Sequence, residues 1–259
     1  MDFFALMQSQ IGFFLLIFVR ITGIFMLTPI FGSKNINKYI KVGLALIITY
    51  ILFPLAYQSG VVIPEHFLSY LFVVIGELVI GLIIGFVSSL VFSSITMAGQ
   101  LLDMQIGFGV INIIDPQSGT QVPLIGNFKY ILALLVFLAT NGHHILLSAL
   151  FSSFKLIPVT GFTVQAALSD FIINMVSGTF VIALKISMPI LITIIITDIA
   201  LGILARTMPQ MNIFVVGVPG KILIGLFVLS LALPFYIIFL EMAFNGMYKD
   251  IFRILALLG

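Results

Sequence analysis

Five charged side chains interrupt long apolar runs of this sequence. They are Arg20, Glu77, Lys185, Asp198 and Glu241. A charge at the centre of a bilayer costs about 3 kcal/mol or more unless it is paired or hydrated. Either these residues line a polar conduit or bind partner subunits, or they pair with one another in a packed core or extend to the interface. Lys185 and Asp198 would point to nearly opposite faces of one helix, so each needs another partner.

Motifs for catalysis or metal binding are absent from the sequence. His143 and His144 are adjacent, so on a helix their side chains should diverge by about 100° and cannot both face one metal. His66 is isolated, and the chain has no cysteine. The glycine turn and lysine of "VGVPGK" at 216–221 lack the spacing and hydroxyl of a nucleotide-binding loop. We therefore expect no enzyme activity, no metal site and no cofactor.

Composition shows what must position these side chains. The 259 residues are 61% hydrophobic and 8% charged, with a mean hydropathy of +1.30. Soluble domains carry about 25% charged residues, so the sequence predicts an integral membrane protein with room for roughly six helical spans. A net charge of +2 is too small to suggest nucleic acid. We predict an all-α polytopic membrane protein with one domain over residues 1–259.

Six apolar stretches can be marked along the chain. They cover residues 11–31, 42–57, 67–102, 128–151, 171–205 and 213–244. The third and fifth are long enough to reach roughly 50 Å as single helices, against a hydrocarbon core of about 30 Å. We therefore expect long, partly broken helices or helical hairpins that pack on other protein. Pro189 predicts a break in the fifth stretch, a glycine at 76, 81 or 85 a bend in the third, and "NGHH" at 141–144 an interruption of the fourth.

The third stretch carries small residues on the same helical face as a glutamate. From Glu77 this face continues through Gly81, Gly85 and Ser88 towards Gly99, and "GLIIG" is a GxxxG pattern. Small residues allow close approach of another helix, and the carboxylate then finds its partner across that contact. The stripe therefore predicts a helix-packing surface.

The segment at 105–123, "QIGFGVINIIDPQSGTQVP", is unusual. Its first half is apolar and uncharged, but Gly107 and Gly109 flank Phe108 and discourage regular structure. An apolar irregular backbone must lie inside protein, against a cavity, rather than face lipid. A hydrophobic constriction of this kind closes a pore by excluding water. The alternative interpretation is a buried connector between helices.

Five pieces of the sequence stand in the order of a known family. They are "RITGIFMLTPIFG" (20–32), "GELVIGLIIG" (76–85), "AGQLLDMQIGFGVINIIDPQSGTQVP" (98–123), "NGHH" (141–144) and "LGILARTMPQMNIFVVGVPGK" (201–221). Together they resemble the FliR family of flagellar type III export-gate membrane proteins, whose virulence-secretion members form the SpaR and YscT group. The resemblance covers nearly the whole chain.

The resemblance implies a noncatalytic subunit that assembles with homologous, FliP-like and FliQ-like subunits around a conduit for unfolded flagellar proteins. FlhB-like and FlhA-like proteins would be neighbours, in the bacterial inner membrane at the flagellar basal body. The alternatives are a subunit of a virulence secretion apparatus, and a secondary transporter that uses the intramembrane charges as a proton relay.

Two groups of site residues are expected. The resemblance implies a plug in the conduit made by Ile106, Gly107, Phe108, Gly109, Val110, Ile111, Asn112, Ile113, Ile114 and Asp115. Packing and polar contacts buried among protein groups are expected at Glu77, Gly81, Gly85, Asp198 and Arg206.

Overall fold

The fold was analysed in a computed structural model. It describes residues 3–33, 36–56, 64, 66–110, 123–163, 165–210 and 212–259. Over these residues the chain forms seven α-helices and one short 3₁₀ turn, without strands. The helices are α1 Phe3–Leu27, α2 Lys38–Ala56, α3 Phe67–Ile106, α4 Leu124–Ala139, α5 Gly142–Leu156, α6 Ala167–Thr207 and α7 Ile213–Leu258, and the turn is Phe108–Val110.

The predicted all-α membrane fold is confirmed. Five of the described helices are long and apolar enough to cross a membrane, and there are six candidate spans if α4 and α5 together make one. At 40, 41 and 46 residues, α3, α6 and α7 each extend about 60–70 Å. This length is about twice the hydrocarbon thickness. Assembly with homologous subunits stays a prediction.

The expected break at Pro189 was wrong, whereas the bend expected at Gly76, Gly81 or Gly85 stays a prediction. Helix α3 continues past Gly81 and Gly85, and α6 continues past Pro189. A proline inside a helix removes one backbone hydrogen bond, here the one that the carbonyl of Lys185 would accept, but membrane helices tolerate such a loss. The length of these helices is therefore real rather than divided between hairpin arms.

The predicted interruption of the fourth stretch is confirmed. Helix α4 ends at Ala139, and α5 begins at Gly142 and runs to Leu156. Between them Asn141 adopts a left-handed backbone with φ of 57°. Asparagine tolerates that conformation better than most residues, which explains why the Asn-Gly pair turns the chain here.

Backbone contacts divide the chain into two compact units. The first consists of Met1–Leu90, Asn141–Met175 and Asn245–Gly259, and the second of Val91–Thr140 and Val176–Phe244. Helices α3, α6 and α7 contribute residues to both units, so neither unit is a continuous piece of sequence. The single domain expected over residues 1–259 stays a prediction.

Each unit has its own apolar core. In the first, buried side chains of α1 and α3 predominate, among them Phe13, Ile17, Ile21, Ile80 and Ile84. In the second, a buried cluster joins α3, α4, α6 and α7 through Leu102, Ile106, Ile125, Ile190, Ile194 and Leu229. Much of the remaining apolar surface of α6 and α7 is exposed, as expected for surfaces that face lipid or other protein.

Candidate functional site

A buried charged centre lies in the first unit. The Nε of Arg20 on α1 donates to Oε2 of Glu77 on α3 at 2.5 Å, and both side chains are almost completely buried. Arg20 Nη1 donates to Oγ of Ser153 at 3.3 Å and to the carbonyl of Ile157 at 3.1 Å. The backbone N–H of Thr160 donates to the second oxygen of Glu77, at 3.3 Å. The centre therefore connects α1, α3 and the end of α5.

The surroundings of Arg20 explain how a guanidinium is held away from water. Its Cζ lies 4.2 Å from the centroid of the Phe154 ring, which adds a cation–π contact to the ion pair. Its Nη2 has no hydrogen-bond partner among the described residues. A buried ion pair of this kind is costly to form, but it is much more costly to lose one partner of it.

Glycines bring α1 and α3 close enough for this pair to form. A Cβ on Gly81 would overlap the carbonyl oxygen of Arg20, and one on Gly85 would lie 2.9 Å from the carbonyl oxygen of Ile24. On the facing helix, a Cβ on Gly23 would lie 2.8 Å from the carbonyl oxygen of Leu78. The part of the stripe at Gly81 and Gly85 is therefore covered by α1 of the same chain, and the carboxylate on that stripe meets Arg20.

The other two residues expected to be buried lie on the surface of the second unit. Asp198 on α6 pairs with Lys221 on α7 at 2.7 Å, with side-chain exposures of 44% and 20%. Arg206 is exposed in the last turn of α6, where a cation is favoured by the helix dipole. Within this chain alone, neither Asp198 nor Arg206 is buried among protein groups.

The described part of the predicted plug is more ordered than the sequence suggested. Ile106 is the last residue of α3, and Phe108–Val110 form the 3₁₀ turn. Between them Gly107 has a φ of +108°, which favours glycine and ends the helix. The expectation that the segment is irregular from its first residue was wrong. Ile111, Asn112, Ile113, Ile114 and Asp115 lie outside the described residues.

The beginning of this segment is fixed in the core of the second unit. Ile106 is fully buried within the apolar cluster, and Phe108 packs against that cluster while partly exposed. A Cβ on Gly225 of α7 would lie 2.9 Å from Cγ1 of Ile106. Ile106 therefore acts as an anchor for the segment at the end of α3.

Asp103 holds the two ends of the segment together, and sequence analysis overlooked it. Its Oδ1 accepts from the N–H of Ile125 at 2.9 Å, and its Oδ2 accepts from the N–H of Gly126 at 3.1 Å. Helix α4 begins after Pro123, which provides no side-chain cap. Asp103 therefore acts as the missing cap, at the end of the helix dipole that favours a negative charge. One signal was available: an apolar helix that follows a proline without a Ser, Thr, Asp or Asn cap needs an acceptor from elsewhere.

Close backbone packing supports the same junction. A Cβ on Gly99 of α3 would overlap Cα of Gly126 on α4. The two helices therefore meet backbone to backbone one turn before Asp103. We call this junction of Gly99, Asp103 and Gly126 the loop base, because residues 107–122 leave from it and return to it.

Lys129 is a second charge that sequence analysis missed. It lies on α4 with only 3% of its surface exposed. The hydroxyl of Tyr236 donates to its carbonyl at 3.1 Å, and its Nζ lies 4.9 Å from the centroid of the Tyr236 ring. Lys185 and Glu241 are exposed.

His143 and His144 stand in the first turn of α5 with ring centroids 4.2 Å apart. The expectation that the two cannot both face one metal stays a prediction. Among the described residues, no group of three or more His, Cys, Asp or Glu side chains is arranged to hold a metal ion.

Comparison with known proteins identifies the family. Residues 11–247 match the model of a family described as "Bacterial export proteins, family 1". The chain is 35% identical over 254 residues to the flagellar biosynthetic protein FliR of Bacillus subtilis, covering 95% of each chain. It is 28% identical to the protein of the same name from Escherichia coli, covering 92% of this chain and 89% of that one. The Aquifex aeolicus protein of that name is 29% identical, with coverages of 91% and 90%. Since the family model matches most of its length, this chain belongs to the bacterial export proteins, family 1.

Proposed function

We propose that this chain is a noncatalytic subunit of the flagellar type III export apparatus and helps form its conduit for unfolded flagellar proteins. The observation that carries the proposal is the 35% identity to the flagellar biosynthetic protein FliR of Bacillus subtilis over 95% of both chains. An assignment based on a fragment would be weaker, because a shared span can belong to a different whole protein. Here the alignment covers 95% of this chain and 95% of the relative.

The exposed apolar surfaces support assembly with other membrane proteins. Helices α6 and α7 are longer than a bilayer requires, and most of their apolar surface is not covered within this chain. We assign FliP-like and FliQ-like subunits to parts of these surfaces, with FlhB-like and FlhA-like proteins as neighbours. The site of action is the bacterial inner membrane at the flagellar basal body.

The loop at 106–115 is assigned the role of a plug. Its composition is apolar, with five Ile or Val residues and one Phe before the turn at Asp115. A segment of this composition keeps water out of a passage. The loop base supports the proposal, because a plug must remain attached on both sides when it is displaced. Ile106 and Asp103 provide such an attachment.

Deletion of residues 107–113 tests the plug. The nine residues left between 113 and 123 could still span about 30 Å, so the loop base need not open. We expect cells that also express the partner subunits to become permeable to ions or small solutes, because a wetted passage replaces a dry one. Phe108→Ala should leak less, since the neighbouring isoleucines still exclude water.

Two controls make the result interpretable. Cells expressing the deleted chain without partners should remain tight, because an unassembled chain forms no conduit. The assembled complex must be recovered intact from the leaking cells. A tight membrane around an intact complex would reduce the loop to a buried connector between α3 and α4.

A further inference from the structure

A small cavity in the second unit carries two lysines that no described acid neutralises. It has a volume of about 190 Å³ and lies between α4, α6 and α7. Lys129 and Lys185 line it, and its other lining residues are apolar or aromatic, among them Pro189, Tyr236 and Phe239. Among the described residues, no carboxylate lines the cavity.

Both ammonium groups lack an acidic partner among the described residues. The ion pairs found there are Arg20 with Glu77 and Lys221 with Asp198, and neither cavity lysine takes part. Lys129 is more than nine-tenths buried, and its ammonium group lies over the ring of Tyr236. A buried ammonium without an anion is unfavourable, and a second cation at the same cavity makes it more so. The charge balance of this cavity therefore calls for an anion.

The surface around the cavity indicates what kind of molecule carries the anion. Met188, Ile192 and Phe235 are apolar, belong to the cavity-forming helices, and are at least 50% exposed. The cavity is smaller than the roughly 300–1,000 Å³ of sites that enclose whole small molecules. It can hold a phosphate with its ester linkages, while the rest of the ligand lies on the apolar surface outside. A free phosphate ion would leave that surface uncovered.

Lysine and tyrosine side chains are typical of the level at which a membrane helix meets the lipid headgroups. Basic pockets between membrane helices are a recognised setting for anionic headgroups. We propose that this cavity binds the phosphate of an anionic phospholipid, with Lys129 and Lys185 as its cations and the acyl chains on α6 and α7. Such a lipid would fill a gap in the surface of the subunit without belonging to the conduit.

Lipid retention by the purified full-length chain tests the site. The chain is extracted in a neutral detergent, mixed with phosphatidylglycerol or phosphatidylcholine, and examined by native mass spectrometry. We expect preferential retention of phosphatidylglycerol. Lys185→Gln should lower that retention roughly fivefold, and the double variant Lys129→Met with Lys185→Gln roughly 30-fold, since each lysine near a lipid phosphate contributes a comparable factor. Lys185 is exposed, so its single variant tests the site without disturbing the core.

One control variant and three alternative outcomes complete the test. Lys249→Gln removes an exposed lysine that does not line the cavity, and its retention should match that of the unmodified chain. Equal retention by the unmodified chain and the double variant would overturn the proposal. If inorganic phosphate binds the chain in place of lipid, and the chain retains both lipids equally, the cavity is a site for a free anion. That result would overturn the lipid assignment. Unchanged lipid retention by the double variant, combined with loss of copurifying partner subunits, would assign the lysines to a protein carboxylate instead.

Discussion

Two buried carboxylates, one in each unit, are satisfied in different ways. Glu77 faces a guanidinium that is itself buried, whereas Asp103 faces two backbone N–H groups at the beginning of α4. The first arrangement depends on two side chains, and removal of either one leaves the other as an unpaired buried charge that destabilises the fold. The second depends on one side chain only, since the N–H groups of a helix end are present in any case.

The two carboxylates therefore have different roles: Glu77 stabilises the packing of helices, and Asp103 attaches a loop. The Arg20–Glu77 centre lies where α1 and α3 touch through glycines, and it also reaches the end of α5. It therefore determines how the helices of the first unit fit together. Asp103 instead fixes the two ends of one loop. Loss of Glu77 should accordingly destabilise the fold, whereas loss of Asp103 should mainly release the loop.

Glu77→Leu should have the largest effect. It leaves the Arg20 guanidinium buried without its partner, which typically costs about 3–5 kcal/mol. Glu77→Gln should cost less, because the amide oxygen still accepts a hydrogen bond. The measurement is the free energy of unfolding of the purified chain in detergent, followed by circular dichroism. Glu241→Leu, at an exposed glutamate of α7, is the control and should change little.

The same pair of variants separates the packing role from a proton relay. If Glu77 carried protons in a secondary transporter, glutamine would abolish transport even though the fold survived. Near-normal flagellar export by Glu77→Gln and failure of Glu77→Leu are expected from a structural ion pair. Equal tolerance of leucine and glutamine would show that Glu77 is not an essential polar contact.

Gly81→Ala should be nearly as damaging, although it adds a single carbon. That carbon would overlap the carbonyl oxygen of Arg20, and a backbone atom cannot move aside as a flexible side chain can. Overpacking of this kind costs about 1–3 kcal/mol, and Gly81→Leu should cost more and prevent assembly with partner subunits. Thermal melting of the chain and native-gel analysis of coexpressed subunits are the measurements.

Gly178→Ala is the matched control for this substitution. Gly178 lies within α6, and no described atom outside the neighbouring backbone of its own helix lies within 4 Å of a Cβ placed there. The alanine should therefore stabilise the chain by about 0.5–1 kcal/mol, because glycine is unfavourable inside a helix. Equal effects at both positions would mean that helix propensity, rather than contact between α1 and α3, governs Gly81.

The sequence predicted local properties better than it predicted which residues contact one another within the chain. The apolar stretches, the turn at Asn141 and the close approach at Gly81 follow from residue types and their spacing along one helix. The identity of the approaching helix does not, because Arg20 and Glu77 are far apart in the chain and only tertiary packing brings them together. The expected break at Pro189 failed because a membrane helix tolerates a proline in its interior, and α6 continues past it.

The candidate plug illustrates the same limit. Its apolar composition and glycines are visible in the sequence, but its anchoring by Ile106 and Asp103 requires α3 and α4 to be placed side by side. Lys129 was missed for a related reason. At the edge of an apolar stretch it resembles an interfacial lysine, and only the cavity between α4, α6 and α7 shows it to be buried.

Asp103→Ala should have an intermediate effect on stability and a larger one on the loop. Loss of a helix cap costs about 1–2 kcal/mol, so α4 should still form. The freed loop base should make residues 107–122 more accessible to protease, as measured by cleavage of the purified chain over time. Asp103→Asn keeps one acceptor and should be cleaved more slowly. Unchanged cleavage in both variants, with α4 intact, would show that Asp103 does not restrain the loop.

Asp198→Asn should have the smallest effect on the isolated chain. The pair with Lys221 is partly exposed, and ion pairs in such positions contribute about 0–1 kcal/mol. Assembly offers a sharper test, because burial by a partner subunit would turn Lys221 into an unpaired buried charge and raise the cost severalfold. Two quantities are measured: the yield of the complex from cells that coexpress the partners, and the melting temperature of the chain alone. If the pair becomes buried in the complex, Asp198→Asn should lower the yield while leaving the melting temperature unchanged, and adding Lys221→Gln should restore it. A yield that stays unchanged would leave Asp198 on the outer surface of the assembly. The difference between this exposed pair and the buried Arg20–Glu77 pair would then persist in the assembled complex.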